Sequence, residues 1–403
     1  MRPIFTLLLA VAGLAAAGCK QPIEKSWEYW AGGACYSTPA VTDELIIFGT
    51  ENGEVHAVSK AGKHRWKFQT RRKVVSAPLV AEKLIFFGST NKNFYAIDMN
   101  GKEVWKYTTL DRIKSDPLVV GEAVIFSSYD DRVYALKTKN RDKIWIYPDR
   151  SGEPAGTADA PSEEPDEEPG EAGAGGDEGG AQPTAEEKAA AFAAGKDAIQ
   201  PGDFSYSSPI LVDGKVVLGN LDGHLYAIDL ATGKLAWRWP SQGATKKQGI
   251  TSTPLLHDGV IYFGANDGFV YALDAKTREL RWKFKTGDEV NSSATLGDDG
   301  VIYIGGVDRH LYALDASSGE VRWKFPTSGP VISRPLVYKN LVFFGGGAQD
   351  NNIYAIDRGT GQLFWKFATG DRIEADPVMD GDVLYVASGD RKLYAFKVNR
   401  TTK

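Results

Sequence analysis

Side chains able to do chemistry are few and scattered in this chain. Its 403 residues hold two cysteines and five histidines, the latter at 56, 64, 224, 257 and 310. Hydrolysis or metal binding needs such groups in sets. A P-loop, a GxSxG elbow, an HExxH helix and a Cys/His set at zinc spacing are all missing from the sequence. His224 and His310 each stand two residues before a Tyr in equivalent phrases. The histidines are assigned to different repeat units, His224 and His310 to non-adjacent blades where they cannot meet as a dyad, and read as solvent-facing strand residues. Carboxylates are abundant but fall mostly in turn phrases, so no catalytic, cofactor-binding or metal residues are expected. Two loops stand out as near twins, "LDRIKSDP" (110–117) and "GDRIEADP" (370–377). Their Asp111–Arg112 and Asp371–Arg372 pairs read either as local salt links or as part of a partner-docking patch, a role for which arginine is favoured.

Cys19 invites a covalent modification. Arg2 precedes the apolar stretch "IFTLLLAVAGLAAAG", which runs into "AAGC". The stretch is short for a membrane span and has the charge and small-residue pattern of an export signal. It resembles the lipobox of bacterial lipoproteins, in which the peptide is cut before the cysteine and the thiol is acylated. Ala16 departs from it, standing where leucine is commonest. Lys20 follows the cysteine, which by analogy favours the outer membrane. Cys35 lies two residues before a repeat-opening Ser, the slot that Val74, Ile113, Ile250, Val290, Val331 and Ile373 occupy elsewhere, and reads as a buried small hydrophobe.

These residues are carried by a repeat. One phrase recurs: Ser-x-Pro, two apolar runs, Tyr-Ala-Ile/Leu-Asp, a Gly turn, then Trp-Lys-Phe. Trp66, Trp105, Trp145, Trp237, Trp282, Trp323 and Trp365 are spaced by 39, 40, 92, 45, 41 and 42 residues. Each unit contains four short runs suited to strands, too small a sheet to bury both faces alone. Radial stacking solves this, with the indole covering the small residues of a neighbouring turn. Ser59, Lys137, Arg141 and Arg278 break the phrase at Asp or Gly positions, so less regular turns are expected there. Seven units start at Ser37, Ser76, Ser115, Ser207, Ser252, Ser292 and Ser333, and an eighth stops short of its tryptophan strand. "SWEYWAGG", with Trp27, aligns with that missing strand. The expected fold is all-β: an eight-bladed β-propeller of four-stranded antiparallel blades, the last closed by the N-terminal strand.

The organisation follows: 1–18 signal peptide, 19–25 lipidated tether, 26–148 closing strand and blades 1–3, 149–203 insert, 204–403 blades 4–8. Residues 151–183 hold ten acids and no base, so the 47 bases elsewhere face 42 acids. That insert is expected to be disordered. Connectivity places it on the face carrying the inter-blade links, and the tether on the opposite face, nearer the membrane.

The Ala-x-Asp-x-x-x-Gly-x-x-x-Trp phrase resembles the tryptophan-docking repeat of quinoprotein dehydrogenases and of PQQ-like propellers that bind no quinone. With a lipobox and one eight-bladed ring, residues 19–403 apart from the insert resemble the BamB family of lipoproteins of the outer-membrane β-barrel assembly machine. The resemblance implies a non-catalytic scaffold without cofactor, held to the membrane by its lipid. Its inter-blade loops would dock on periplasmic domains of a barrel-assembly subunit, with no nucleic-acid partner. The alternatives it leaves open are a PQQ-like lipoprotein with another partner and a quinone-dependent dehydrogenase.

Overall fold

The computed structural model describes residues 22–150, 204, 206–241, 243–244 and 248–399. The signal peptide, Cys19 and the expected insert lie outside them, apart from the insert's first two residues. Within them, the short apolar runs form eight four-stranded antiparallel sheets. Blade 2 shows the order: Leu79–Ala81 innermost, then Leu84–Gly88, Asn93–Asp98 and, at the rim, Glu103–Thr108. Phe86, Phe87, Phe94 and Ile97 are all fully buried, because both faces of the middle strands lie against neighbouring blades. The rim strands Val321–Pro326 and Leu363–Ala368 alternate instead between half-buried and exposed residues. Eight hydrophobic clusters result, each shared by two adjacent blades, so the core is a closed annulus.

Closure uses both ends of the described chain. The N-terminal strand Ile23–Trp30 pairs antiparallel with the last strand, Lys392–Val398, and completes blade 8. It begins three residues ahead of the expected boundary at Ser26, because Ile23 opposite Val398 buries almost its whole side chain. The seam continues into blade 1, where the Cys35 N–H donates to Ser388 O at 3.1 Å. Cys35 is fully buried and burial pushes its thiol pKa up, which makes it unreactive.

Eight of the ten tryptophans obey one register. Trp27, Trp66, Trp105 and Trp145 stand opposite Ala395, Ala57, Ala96 and Ala135. Trp237, Trp282, Trp323 and Trp365 stand opposite Ala227, Ala272, Ala313 and Ala355. Beside each pair the ladder slips by one residue, a β-bulge that leaves the residue before the Trp unpaired. On the rim strands of blades 1, 2, 3, 5, 6 and 8 the ring then lies over the next blade's outer turn. The indole N–H of Trp27, Trp66, Trp105, Trp145, Trp282 and Trp323 donates to a turn carbonyl there at 2.8–3.0 Å. At Gly319, with φ +75°, an added Cβ would sit 2.7 Å from the Trp282 ring, so a side chain there meets both backbone and steric objections.

The turns with Arg141 and Arg278 are not irregular, contrary to expectation. Arg141 and Arg278 take φ of 61° and 63° and keep the turn bond, to Lys137 O at 3.0 Å and Asp274 O at 2.8 Å. The five-residue turn dictates a left-handed residue, and each guanidinium reaches a carbonyl, Lys106 O from Arg141 and Lys276 O from Arg278. An L-residue held there carries a cost of about 1 kcal/mol. Arg278→Gly should therefore raise the unfolding free energy by about 0.5 kcal/mol, net of the entropy glycine adds to the unfolded chain, as read by urea titration.

Candidate functional site

Turns between second and third strands share one face with the inter-blade links: Thr70 N–H donates to Gly53 O, and Thr109 N–H to Lys92 O. Both Asp-Arg loops lie on this face and fold identically. Asp111 Oδ1 accepts the Arg112 N–H at 2.7 Å, as Asp371 Oδ1 accepts that of Arg372 at 2.7 Å. Thr109 and Thr369 hydroxyls each donate to the aspartate carbonyl at 2.6 Å. These bonds leave the guanidinium of Arg112 stacked 4.8 Å from the centre of the Tyr129 ring, and that of Arg372 4.9 Å from that of Tyr36. Such cation–π pairs hold arginine planar and oriented.

The two loops do not meet. They enter blades 3 and 8, and blades 8, 1 and 2 separate them. Each instead organises its own patch. Around Arg112, the Lys114 ammonium lies 5.2 Å from the Tyr129 ring centre and 5.8 Å from that of Tyr206, whose ring is half exposed. Around Arg372, Glu374 adds an ion pair at 3.0 Å. Tyr36, Lys114, Tyr206 and Glu374 were not singled out from the sequence. All occupy the slot just before the repeat's Ser or Ala, which holds Val75, Thr251, Asn291 and Ile332 in the other units, and their aromatic or charged character was the available signal.

Inside this face, around the axis, runs a second ring. In six of the eight units the residue between Ser/Ala and Pro/Ala points its side-chain acceptor at the backbone of the preceding blade; Ala77 and Arg334 have no acceptor to offer. Ala77 N–H donates to Asp116, Asp116 N–H to Ser208, Ser208 N–H to Thr253 and Thr253 N–H to Ser293. Arg334 N–H donates to Asp376, and Asp376 N–H to Thr38. The axial polar groups thus tie blade to blade. Asp116 keeps some exposure toward the channel, yet protein encloses it, and desolvation, with Asp376 adding repulsion, pushes its pKa up to about 6. The ionised form is therefore disfavoured by folding at neutral pH. Asp116→Asn keeps an acceptor for Ala77. It should stabilise the protein at pH 7.5 by about 1 kcal/mol, discounted for channel water, and should abolish the gain that the parent draws as pH falls from 6 toward 4. Urea titrations at both pH values test this.

The histidines need correction. His56 and His64 share blade 1, and the closing strand brings Tyr29 between them, its hydroxyl 3.1 Å from His56 Nδ1 and 3.2 Å from His64 Nδ1. His56 is buried rather than solvent-facing, because it occupies the repeat's Tyr position. Its Nε2 meets Glu54 at 3.1 Å, and Lys67 holds the other carboxylate oxygen. With Nε2–H donating to Glu54, Nδ1 is left to accept the Tyr29 hydroxyl. Burial lowers the His56 pKa, against the opposing pull of Glu54. The unfolded chain then takes up the proton first, so stability is lost as pH falls below about 6.5. In His56→Tyr, acidification from 7.5 to 5.5 should cost less stability than in the parent.

Comparison with known proteins agrees with this architecture. The sequence profile of the family described as outer membrane protein assembly factor BamB matches residues 24–100, 51–178, 194–269, 266–349 and 349–400. No curated protein matches the chain in a sequence search. Among solved structures, BamB from Moraxella catarrhalis superposes with TM-score 0.67 at 14% identity, covering 94% of this chain and 99% of that one. A europium-containing methanol dehydrogenase gives 0.71 at 16% identity, covering 94% and 93%. The quinohemoprotein alcohol dehydrogenase of Comamonas testosteroni gives 0.70 at 15%, covering 95% and 77%. At such identities the superpositions speak for the fold alone. The repeat-by-repeat profile match spans nearly the whole propeller, and the chain belongs to the family of outer membrane protein assembly factor BamB.

Proposed function

We propose that this chain is a non-catalytic, membrane-tethered scaffold that assists assembly of outer-membrane β-barrel proteins. In this reading Cys19 is acylated, the propeller faces the periplasm, and the inter-blade-loop face docks on periplasmic domains of a barrel-assembly subunit. The observation that carries it is the pair of oriented Arg-on-Tyr stacks, Arg112 on Tyr129 and Arg372 on Tyr36, on the face rich in irregular links. Preorganised arginine and tyrosine are what tight protein contacts favour. The axial side chains, by contrast, are engaged in holding adjacent blades together.

Affinity purification of the tagged, acylated chain from membranes tests the reading. Barrel-assembly subunits should co-purify, and the double variant Arg112→Glu/Arg372→Glu should lose at least about tenfold of them, the effect of removing about 1.4 kcal/mol or more of contact energy. Mass spectrometry of the N-terminus should find acyl chains on Cys19. Recovery without such subunits, or quinone-dependent alcohol oxidation after reconstitution with quinone and calcium, would defeat it.

A further inference from the structure

The rim strands carry a pattern that neither blade packing nor the docking face uses. Two residues before the tryptophan, blades 4 to 7 have Leu235, Leu280, Val321 and Leu363, exposed by 37%, 43%, 42% and 46%. In blades 1 to 3 the same slot holds His64, Glu103 and Lys143. One residue after the tryptophan, blades 4 to 7 have Arg238, Lys283, Lys324 and Lys366.

The bulge decides what these residues share. Leu280 pairs with Leu273, Trp282 with Ala272 and Lys283 with Tyr271, so Arg281 drops out of the ladder. Leu280 and Lys283 therefore project from one face of the sheet, two ladder steps or about 7 Å apart. The same register holds for Val321 and Lys324, for Leu363 and Lys366, and for Leu235 and Arg238. Phe364, the bulged residue of blade 7, is 37% exposed and widens the apolar arc. The outer wall thus presents an aliphatic edge at the start of each rim strand and a row of bases one short step inward. This is the layering of an interface between hydrocarbon and phosphate.

The arc lies at the rim where the N-terminal strand begins. In blade 8 that strand starts at Ile23 and runs in the same sense as the other rim strands, and Asn399 N–H donates to Pro22 O beside it. Blade 7, with Leu363 and Phe364, is its neighbour. Cys19 is four residues from Ile23, a reach of at most about 14 Å. An acyl group on Cys19 would hold blade 8, and with it the blade 7 end of this arc, at the membrane surface. We infer that the aliphatic edge of blades 4 to 7 lies in the headgroup region of an anionic bilayer, with the bases above it at the phosphates, so that the propeller rests tilted on the membrane. The inference rests on acylation of Cys19 for its orientation, not for the surface itself.

The acylated full chain is reconstituted in phosphatidylethanolamine–phosphatidylglycerol vesicles with brominated acyl chains. It carries one bimane label, at Val321→Cys, Leu363→Cys, Glu103→Cys or Asp288→Cys; buried Cys35 does not compete. Quenching should be at least about threefold stronger at 321 and 363 than at 103 on the far rim or 288 on the other face, as expected for labels within the interface. Equal quenching at 321 and 103 in vesicles that float with protein overturns the inference. A second arm uses the Cys19→Ser full chain, and so stands even if acylation fails. It should sediment with phosphatidylglycerol vesicles, and Leu280→Asp/Val321→Asp/Leu363→Asp should lower the partition about tenfold, three half-exposed aliphatic chains being lost at once, with the circular dichroism spectrum unchanged. Unchanged sedimentation refutes the surface. So does a parent dimer that the triple variant makes monomeric without loss of vesicle binding, which would assign the arc to a second copy.

Discussion

Trp105→Ala should lower the unfolding free energy by about 3–5 kcal/mol. Trp105 is 6% exposed, packs against Phe86 and Phe94, and donates its indole N–H to Thr138 O of blade 3 at 2.8 Å. Truncation leaves a cavity between blades 2 and 3 and a turn carbonyl without its donor. Relaxation cannot close the gap, because the ring of blades fixes their spacing from both sides. Trp105→Phe refills part of the volume without the hydrogen bond, so it should lie between the parent and the alanine variant. Urea titrations of the three proteins give the order. An alanine variant within about 0.5 kcal/mol of the parent, the usual scale of surface substitutions, would show that the indole does not hold the blades together.

Deletion of residues 22–30 is expected to have the larger consequence, loss of the monomeric ring. Seven residue pairs join Ile23–Trp30 to Lys392–Val398, and among the described residues no other ladder spans so much of the sequence. Its side chains also bridge onward: Trp27 N–H reaches Lys60 O in blade 1, and Tyr29 meets His56 and His64. Without the strand, Phe396 and Val398 lose cover and Lys392–Val398 becomes an open edge flanked by apolar side chains. Such an edge pairs with whatever strand is offered. Light scattering should show dimers or larger species where the parent is a monomer. The synthetic peptide IEKSWEYW should restore the monomer when added in excess. A deleted chain that stays monomeric with an unchanged melting temperature would mean that the seam contributes nothing.

Fold and site differed in legibility for a physical reason. Seven tryptophan phrases, near-constant in spacing but for the one interval that holds the insert, and an eighth unit that stops short carry the blade number, since each turn and bulge is closed by residues within one unit. The absent eighth Trp strand and the surplus phrase around Trp27 likewise pointed to the closing pair. At Arg278 the phrase shows only a residue type, whereas the turn's own hydrogen bonds dictate the φ angle, at a cost that arginine can bear. At His56 the residue type suggests exposure, but an imidazole in a Tyr slot is buried by its neighbours, whatever its polarity.

The repeat, read by itself, determined the all-β ring, the count of its blades and the strand that fastens them, because those follow from local periodicity. Tertiary structure alone decided which exceptional residues meet. Tyr36 finds Arg372, and Thr38 accepts from Asp376, only because the ring closes. Leu280 and Lys283 share a face only because a bulge removes Arg281 from the ladder. Contacts between chain ends, and side-chain direction past an unpaired residue, belong to three-dimensional closure and cannot be read from spacing.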